Sequence, residues 1–344
     1  MDTHSGPDAS PSPDGSARDG ADSSYLDAVE ALYREAADVP QPALCCTQSP
    51  VWELPGLVVP AAMLERNYGC GSTVSPRDLA RAKRVLYVGV GAGMEALQFA
   101  YFLRRPGGVV AVDTNAAMRA LAGELLEDAA SVNEWFTPAM VQVRAGDARA
   151  LPLPDASVDV VAQNCLFNIF TRAHLAEALA EAHRVLAPHG KLVLSDPVAE
   201  RPIPAHLAAD DRLRAACLSG ALPLSEYLAA LVDAGFGTLE VRARRPYRVL
   251  DAARYGLEDN LLLEAVEVVA IKDPVPADGP CIFTGRTAIY VGDEDTLDDG
   301  RGHVLLRDLP LGVCDKTASA LEGLGRADLI VTKSTWHYPG DGCC

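Results

Sequence analysis

From residue 84 to residue 195, short continuous apolar runs alternate with longer segments in which apolar residues recur at helical spacing. The short runs predict buried strands, and the periodic segments predict helices. Strands joined through helices in this order form βαβ units, so we predict an α/β fold whose mostly parallel sheet carries helices on both faces. The predicted strands are 84–89, 108–113, 140–143, 158–163 and 191–195, and the predicted helices are 94–103, 115–130 and 172–186.

The N-terminal region has three patterns. The first 24 residues are almost all Asp, Ser, Gly, Pro and Ala, which cannot offset the entropy of ordering, so we expect disorder there. Residues 25–37 carry apolar residues at helical spacing, which predicts a helix that Pro40 and Pro42 end. The Pro- and Gly-rich stretch 45–75 predicts short helical pieces that cap part of the main domain.

The C-terminal part predicts one more helix, two more strands and an appended unit. From about residue 273, Asp, Gly and Pro alternate with short β-like runs such as 287–291, which is typical of a small α+β unit. The additional elements are a helix at 225–234, which Gly235 is placed to stop, and strands at 238–241 and 263–271. The predicted divisions are a tail over 1–24, an N-terminal helix and cysteine-bearing cap over 25–75, a main domain over 76–272 and an extension over 273–344.

The chain is strongly acidic, with 30 basic and 47 acidic residues and a formal net charge of −17. Such a chain gains nothing from neutralising phosphates, which argues against nucleic acid and an anionic membrane surface as partners. No apolar run reaches about 18 residues and no secretory signal is visible, so we expect a cytoplasmic protein. Its nine cysteines should then be reduced in bulk, and their odd number argues against a pure disulfide scaffold.

A glycine-rich turn follows the first predicted strand, with Gly89, Gly91 and Gly93 at alternate positions. Glycines let the backbone approach a ligand closely, and the helix that follows offers free N–H groups. Asp113 ends the second strand, where a carboxylate can bond ribose hydroxyls, and Asp147 follows the third strand, where it can reach an adenine amine. Either carboxylate alone could be a turn former, but the ordered set favours a nucleotide cofactor.

Two further segments extend this pattern: residues 151–159, LPLPDASVD, precede the fourth strand, and residues 183–190, HRVLAPHG, precede the fifth. Over about 84–271 the series resembles class I S-adenosylmethionine-dependent methyltransferases. That family usually has an acidic residue two positions before the first glycine of the turn, where this chain has Tyr87. The resemblance implies S-adenosylmethionine as the cofactor, bound by Gly89, Gly91, Gly93, Asp113, Asp147 and Asn164.

Cysteines lie at positions that suit a substrate site, although none forms a CxxC pair. Cys165 follows the fourth strand, and ligands of open α/β sheets bind outside the carboxyl ends of strands. Asn164 beside it could position substrate or cofactor by hydrogen bonds. Cys217 lies in the insertion after the fifth strand, and Cys70 lies between two glycines of a loop, where packing alone gives no reason for a thiol.

Four cysteine-bearing segments resemble those of arsenite S-adenosylmethionine methyltransferases, in the same order. The resemblance implies that Cys165 and Cys217 bind trivalent arsenic for methylation, with Cys70 available as a third sulfur. It also implies an accessory disulfide between Cys70 and either Cys45 or Cys46, the choice remaining open. The segments are Cys45-Cys46-Thr47, Tyr68-Gly69-Cys70-Gly71-Ser72, Asn164-Cys165 and Cys217-Leu218-Ser219-Gly220-Ala221-Leu222.

The chemistry of trivalent arsenic fits this resemblance. Soft thiolates select soft, thiophilic ions, and three sulfurs can hold pyramidal arsenic while its lone pair points at the donor methyl. Transfer then depends mainly on positioning. The thiols must ionise, so nearby positive charge or substrate binding should lower their pKa. The implied partners are arsenite or a trivalent organoarsenical and a thiol reductant such as thioredoxin or glutathione, in an arsenic-detoxifying role.

Two alternatives remain open at this point. One is a small-molecule C- or O-methyltransferase with structural cysteines, because fold does not determine function. The other is a metalloid-binding protein with a degenerate methyltransferase domain, for which Tyr87 gives some support. A free cysteine is often a small buried hydrophobe, which is the default role of Cys281 and Cys314. The terminal Cys343-Cys344 could be a metalloid-gathering arm or a dispensable end.

Overall fold

A computed structural model of the protein describes residues 16–41, residue 44 and residues 53–335, with the side chains of the first helix described from Tyr25 onward. Residues 1–15 and the predicted sites at Cys45, Cys46, Cys343 and Cys344 lie outside the described residues. The first helix begins at Ser16, within the segment for which disorder is predicted. Extending a helix that has already formed costs little per residue, so the small polar residues before Tyr25 can continue it.

The described helices and strands follow the predicted alternation. Among the described residues, no helix has both the length and the apolar content needed to cross a bilayer. The helices are α1 (Ser16–Asp38), α2 (Ala61–Glu65), α3 (Pro76–Leu79), α4 (Met94–Leu103), α5 (Ala116–Val132), α6 (Arg172–Val185), α7 (Ala205–Ala208), α8 (Asp211–Ala215), α9 (Leu224–Asp233), α10 (Ala252–Tyr255) and α11 (Asp315–Glu322). The strands are β1 (Val85–Val88), β2 (Val109–Asp113), β3 (Val141–Ala145), β4 (Val158–Asn164), β5 (Leu186–Ala199), β6 (Thr238–Leu250), β7 (Leu261–Ile271), β8 (Cys281–Phe283), β9 (Thr287–Tyr290), β10 (Thr296–Asp298), β11 (Val304–Leu306), β12 (Leu311–Gly312) and β13 (Leu329–Val331).

The main sheet has eight strands in the order β3-β2-β1-β4-β5-β7-β6-β8. The first five strands in this order, β3, β2, β1, β4 and β5, pair in parallel. β7 pairs antiparallel with both β5 and β6. The predicted α/β fold with a mostly parallel sheet is therefore confirmed. β5 and β6 are longer than predicted, because their backbone pairing with β7 continues past the apolar runs that identified them.

Both faces of the sheet are covered, as a sheet of parallel strands requires. Leu86 and Val88 of β1 pack into one apolar cluster, together with residues of α6 and α9. Val85 and Tyr87, the alternating residues of the same strand, pack into a second cluster with residues of α4 and α5. The side-chain alternation along a strand therefore supplies both layers of the core.

The C-terminal part forms a small α+β unit, as expected. A three-stranded sheet in the order β12-β9-β13, the β10–β11 hairpin and α11 enclose a separate apolar cluster that includes Tyr290, Leu305 and Leu321. One strand differs from the expectation: β8, which follows residue 273, pairs in parallel with β6 and extends the main sheet. Its three residues are too few for a periodic pattern, so only the pairing identifies it.

Candidate functional site

A cleft of about 810 Å³ opens at the carboxyl ends of β1, β2 and β4. Its walls are the glycine turn after β1, the start of α4, and the ends of β2 and β4, and a second cleft continues from it toward Asp147. The two clefts share Gly89, Asp113 and Leu166. Helix α1 covers both with Val29 and Glu30. Of the predicted cofactor residues, Gly89, Gly91, Asp113, Asp147 and Asn164 line this continuous cleft.

The three glycines of the turn all have left-handed backbone conformations. Their φ angles are 80° at Gly89, 51° at Gly91 and 83° at Gly93. A Cβ added at Gly91 would meet no atom within 4 Å, so the backbone conformation and not crowding requires glycine there. Gly93 is the N-cap of α4, which directs the N-terminus of that helix to the end of the turn.

Asp113 connects the end of β2 to the glycine turn. Its carboxylate accepts hydrogen bonds from the backbone N–H groups of Asn115, at 2.9 Å, and of Val90 and Gly91. Burial raises the pKa of Asp113, although these donors act in the opposite direction. The Asp113 side chain therefore lies in the middle of the cleft. This is where the ribose of the cofactor would lie if Asp113 bonds its hydroxyls, as the sequence predicts.

Asp147 lies at the far end of the cleft and is held by Arg149. Arg149 donates hydrogen bonds of 3.1 and 2.7 Å to its two carboxylate oxygens, and also bonds His174 at 3.1 Å. The other ring nitrogen of His174 bonds the hydroxyl of Tyr25 on α1. Burial acts to raise the pKa of Asp147, but the bonds from Arg149 outweigh it and hold this pKa below its usual value.

Glu95, in the first turn of α4, is a site residue that the sequence analysis missed. Its carboxylate accepts hydrogen bonds from Thr73, from the Tyr87 hydroxyl at 2.9 Å and from the Asn164 amide at 3.2 Å. Burial raises the pKa of Glu95, while these bonds oppose the shift. Tyr87, at the position where the family usually has an acidic residue, therefore binds the carboxylate of Glu95 instead. The sequence signal that could have identified Glu95 is an acidic residue in a mainly apolar helix.

The thiols of Cys70, Cys165 and Cys217 converge, although they lie far apart in the chain. All three are buried, with exposures of 1%, 7% and 2%. The Cys217 thiol donates to the Cys165 carbonyl at 2.8 Å, and the Cys165 thiol interacts with both of the other thiols. Of the three, Cys165 lines the cleft, so the thiol cluster lies at the edge of the cleft.

Cys165 and Cys217 have strained backbones. Their φ angles are 59° and 58°, in the left-handed region that costs a residue with a Cβ about 1–3 kcal/mol. The Cys165 N–H donates to the carbonyl of Ser195 at 2.7 Å, which ties the strained residue to the adjacent strand β5. Strain of this kind collects at functional sites and persists because the surrounding structure enforces it.

Asn164 fastens the Cys70 loop to the end of β4. Its amide accepts from the Cys70 N–H and donates to the Gly71 carbonyl, both at 2.9 Å. A Cβ on Gly69 would lie 2.5 Å from the Asn164 amide nitrogen, so only glycine allows this approach. The Cys70 thiol lies 3.4 Å from the Ser195 hydroxyl. Close approach of the loop therefore explains the glycines that flank this cysteine.

The thiols of Cys70 and Cys165 are kept neutral by their surroundings. Burial raises the pKa of Cys70 well above its usual value, and hydrogen bonding with Cys217 together with burial does the same for Cys165. Asp196 of β5, which is buried beside them, adds to both shifts. The expectation that positive charge lowers these pKa values is therefore wrong for Cys70 and Cys165. The alternative, that substrate binding lowers them, stays a prediction.

No three His, Cys, Asp or Glu side chains within the described ranges stand ready-made to hold a metal ion. Cys70 carries a free thiol. Its implied disulfide partner, Cys45 or Cys46, lies outside the described residues, so the accessory disulfide stays a prediction.

Helix α1 closes the site in a way that the sequence analysis did not predict. Tyr33 of α1 lies beside Cys217, and burial followed by interaction with Cys217 and Cys165 raises the pKa of Tyr33. Two carbonyls of α1 accept hydrogen bonds from the domain below: Asn115 donates to Glu30 at 3.1 Å and Tyr68 donates to Ala36 at 3.0 Å. One helix thus covers both the cleft and the thiols.

Comparison with known sequences finds methyltransferases. The sequence model of a family described as "Methyltransferase domain" matches residues 86–194. An arsenite methyltransferase of Aquipseudomonas alcaligenes is 32% identical over 227 residues, which is 64% of this chain and 64% of that protein. An arsenite methyltransferase of Halobacterium salinarum is 30% identical over 173 residues, or 50% of this chain and 42% of that protein. The chain thus covers less than two thirds of each relative.

Comparison with solved structures finds the same fold. An arsenic(III) S-adenosylmethionine methyltransferase from Chlamydomonas reinhardtii superposes with a TM-score of 0.57 at 24% identity, over 87% of this chain and 99% of that chain. The fold is therefore that of the class I methyltransferases, as predicted. The resemblance to arsenite methyltransferases, inferred from the cysteine segments, is confirmed as a similarity of sequence.

Asp196 provides a test of the electrostatics of the thiol cluster. Its fully buried carboxylate accepts hydrogen bonds from Gln163 and, at 2.6 Å, from Tyr227, yet burial raises its pKa to about 7. An unfolded chain ionises this acid near pH 4. Burial of Asp196 therefore costs stability progressively as the pH rises from about 4 to about 7, and the full cost remains above that range.

We expect the stability of Asp196→Asn relative to the wild type to rise from pH 4 to about pH 7 and then to stay constant. The amide keeps an oxygen for the Tyr227 hydroxyl but carries no charge to bury. Urea unfolding of both proteins at several pH values measures the difference in stability. A difference that did not change with pH would contradict the assignment.

Proposed function

We propose that this chain, which has the class I methyltransferase fold, transfers the methyl group of S-adenosylmethionine to trivalent arsenic held by Cys165, Cys217 and Cys70. The convergence of these three thiols, with Cys165 in the wall of the cleft, carries the proposal. Cys165 and Cys217 both adopt left-handed backbones to stand there, which a packing role would not require. The similarity to arsenite methyltransferases supports the same substrate.

The residues of the cleft fit this cofactor. The glycine turn leaves room beside Gly91, and Asp113 and Asp147 supply carboxylates in the middle and at the far end. Glu95 supplies a buried carboxylate near the turn, where the ammonium of the cofactor's amino-acid part would bind in place of an acid at position 87. S-adenosylmethionine would supply a methyl carbon made electrophilic by a positively charged sulfur.

The chain's residues would hold the arsenic and exclude water. As arsenite binds, each As–S bond forms while an As–O bond breaks, and the thiol proton leaves with the hydroxide as water. This exchange removes the buried S–H groups without creating free thiolates, which the raised pKa values of Cys70 and Cys165 disfavour. Tyr33 on α1 contacts Cys217 from outside, so the closed helix would keep solvent from the reacting atoms.

The reaction also explains the implied reductant. The lone pair of arsenic forms the new As–C bond, and the electrons of the broken C–S bond stay on the cofactor's sulfur. Arsenic thereby goes from the trivalent to the pentavalent state. Its return to the trivalent state needs two electrons, which a thiol reductant such as glutathione or thioredoxin would supply.

We expect Cys165→Ser and Cys217→Ser each to abolish arsenite methylation while leaving S-adenosylmethionine binding intact, because serine keeps the size of the side chain but is a poor arsenic ligand. The assay combines arsenite, a thiol reductant and methyl-labelled cofactor, and separates the arsenicals by chromatography. Ser131→Ala, at an exposed position of α5, is a control that should keep activity. Full activity in both cysteine variants would reject the proposal.

We expect Glu95→Gln to weaken S-adenosylmethionine binding by about ten- to a hundredfold, because a hydrogen bond to a charged group contributes about 1.5–3 kcal/mol. Calorimetric titration with S-adenosylmethionine and with adenosine measures the effect. Adenosine lacks the amino-acid part, so its affinity should not change.

Tyr87→Phe is the matched variant for Glu95, since it removes one donor to the carboxylate but keeps the charge. It should weaken cofactor binding less than Glu95→Gln does. If Glu95→Gln weakened adenosine and S-adenosylmethionine equally, Glu95 would be a structural residue and not a ligand of the ammonium.

A further inference from the structure

A second cavity, of about 1020 Å³, opens in the C-terminal unit, away from the cleft. Two cysteines that the sequence analysis assigned to packing line it, Cys281 at the start of β8 and Cys314 at the N-cap of α11. These residues are 33 positions apart in the sequence (281 to 314). They come together because β8 pairs with the main sheet and α11 begins directly after Cys314. Two thiols that face an open cavity are not simply filling the core.

The two thiols are neighbours. Cys281 and Cys314 line the same cavity and interact with each other, and the Cys314 sulfur lies 3.2 Å from the Thr317 hydroxyl. Cys281 is half-buried, while Cys314 is 4% exposed. The Cys281 sulfur is therefore the more accessible of the two. A ligand bound to it could also reach the neighbouring sulfur of Cys314.

Polar groups around the pair can take up the protons of the thiols. The Thr317 hydroxyl lies 3.5 Å from Nε2 of His303, and Nδ1 of that ring is fixed by Asp299 at 2.6 Å. This chain of hydrogen bonds leads from the Cys314 sulfur to a base. A hydrogen-bonded path to a base helps a thiol to lose its proton when its sulfur binds a soft ligand.

A cation stands on the other side of the pair. Lys316 lines the cavity beside Cys281, and its ammonium is held by Asp278 at 2.6 Å and by the Gly279 carbonyl at 2.8 Å. Burial and the neighbouring Cys314 raise the pKa of Cys281, and Lys316 opposes that shift. The second pair thus has a cationic neighbour that opposes the effect of burial on Cys281.

We propose that Cys281 and Cys314 form a second arsenic site, a dithiol that binds trivalent arsenicals carrying one organic group. Trivalent arsenic makes three bonds, so two sulfurs leave one bond for carbon. Each As–S bond forms as an As–OH bond breaks, and the two thiol protons leave with the two hydroxides as water. No electrons are transferred, so the step needs no oxidant or reductant.

The ligand class rests on the proposed function, since an organoarsenical with one methyl group is the product of a first methylation. Binding at the second site nevertheless needs no methyl transfer. It would keep a singly methylated arsenical on the protein between rounds, or hold an organoarsenical substrate before its methylation.

Native mass spectrometry with phenylarsine oxide tests the site on the full chain. Excess glutathione and a phosphine reductant are present, so that adducts on a single thiol exchange off, disulfides stay reduced and a two-sulfur chelate survives. We expect Cys281→Ser, Cys314→Ser and the double variant each to carry one phenylarsenic fewer than the wild type. The loss should be equal in all three because a chelate fails when either sulfur is absent.

Two results would overturn the proposal: the wild-type number of adducts in both single variants, or a larger loss in the double variant than in either single one. The second result would mean that the thiols bind separately. Far-ultraviolet circular dichroism checks that the variants fold. Cys165→Ser should keep the adduct that Cys281→Ser loses, so failure of the first site and failure of the second are distinguishable.

Discussion

The side-chain amide of Asn164 is the contact on which the site depends. It accepts from the Cys70 N–H, donates to the Gly71 carbonyl and also donates to Glu95. One residue at the end of β4 thus joins the loop that carries a thiol to the carboxylate in the cofactor cleft. In a buried environment such a network is stronger than in water, and it is costly to leave incomplete. The position of the first thiol and the shape of the cleft are therefore coupled.

Burial sets the chemistry of the Cys70 and Cys165 thiols. Water cannot stabilise their thiolates, and Asp196 beside them makes ionisation harder still. Neutral thiols at these two positions are the consequence in the free protein. A ligand that replaces S–H by a covalent bond removes this difficulty, because no isolated charge is left inside. The same surroundings that suppress general thiol reactivity thereby favour a thiophilic substrate.

The pair in the C-terminal unit has the opposite surroundings. Cys281 and Cys314 face an open cavity, with Lys316 beside one sulfur and a route to His303 from the other. A low-dielectric pocket suits holding an atom in one geometry for reaction, while a pair with one more accessible sulfur and with a cation and a base nearby suits capture and release. The two thiol clusters of one chain therefore differ in their electrostatics more than in their ligands.

Local pattern alone determined the strands and helices of the main domain, the glycine turn, Asp113 and Asp147, because apolar periodicity and turn chemistry act over a few neighbouring residues. The resemblance of the cysteine segments identified Cys70, Cys165 and Cys217, but not how they meet. Only the tertiary structure decided that Cys217 hydrogen bonds Cys165, which lies 52 residues earlier in the chain. The same holds for the hydrogen bond from the Tyr87 hydroxyl to Glu95 and for the position of α1 over the site. The cover by α1, the pairing of β8 and the contact of Cys281 with Cys314 had no sequence signal either. Contacts between distant residues depend on which strands pair and how the layers pack, and no local pattern carries that information.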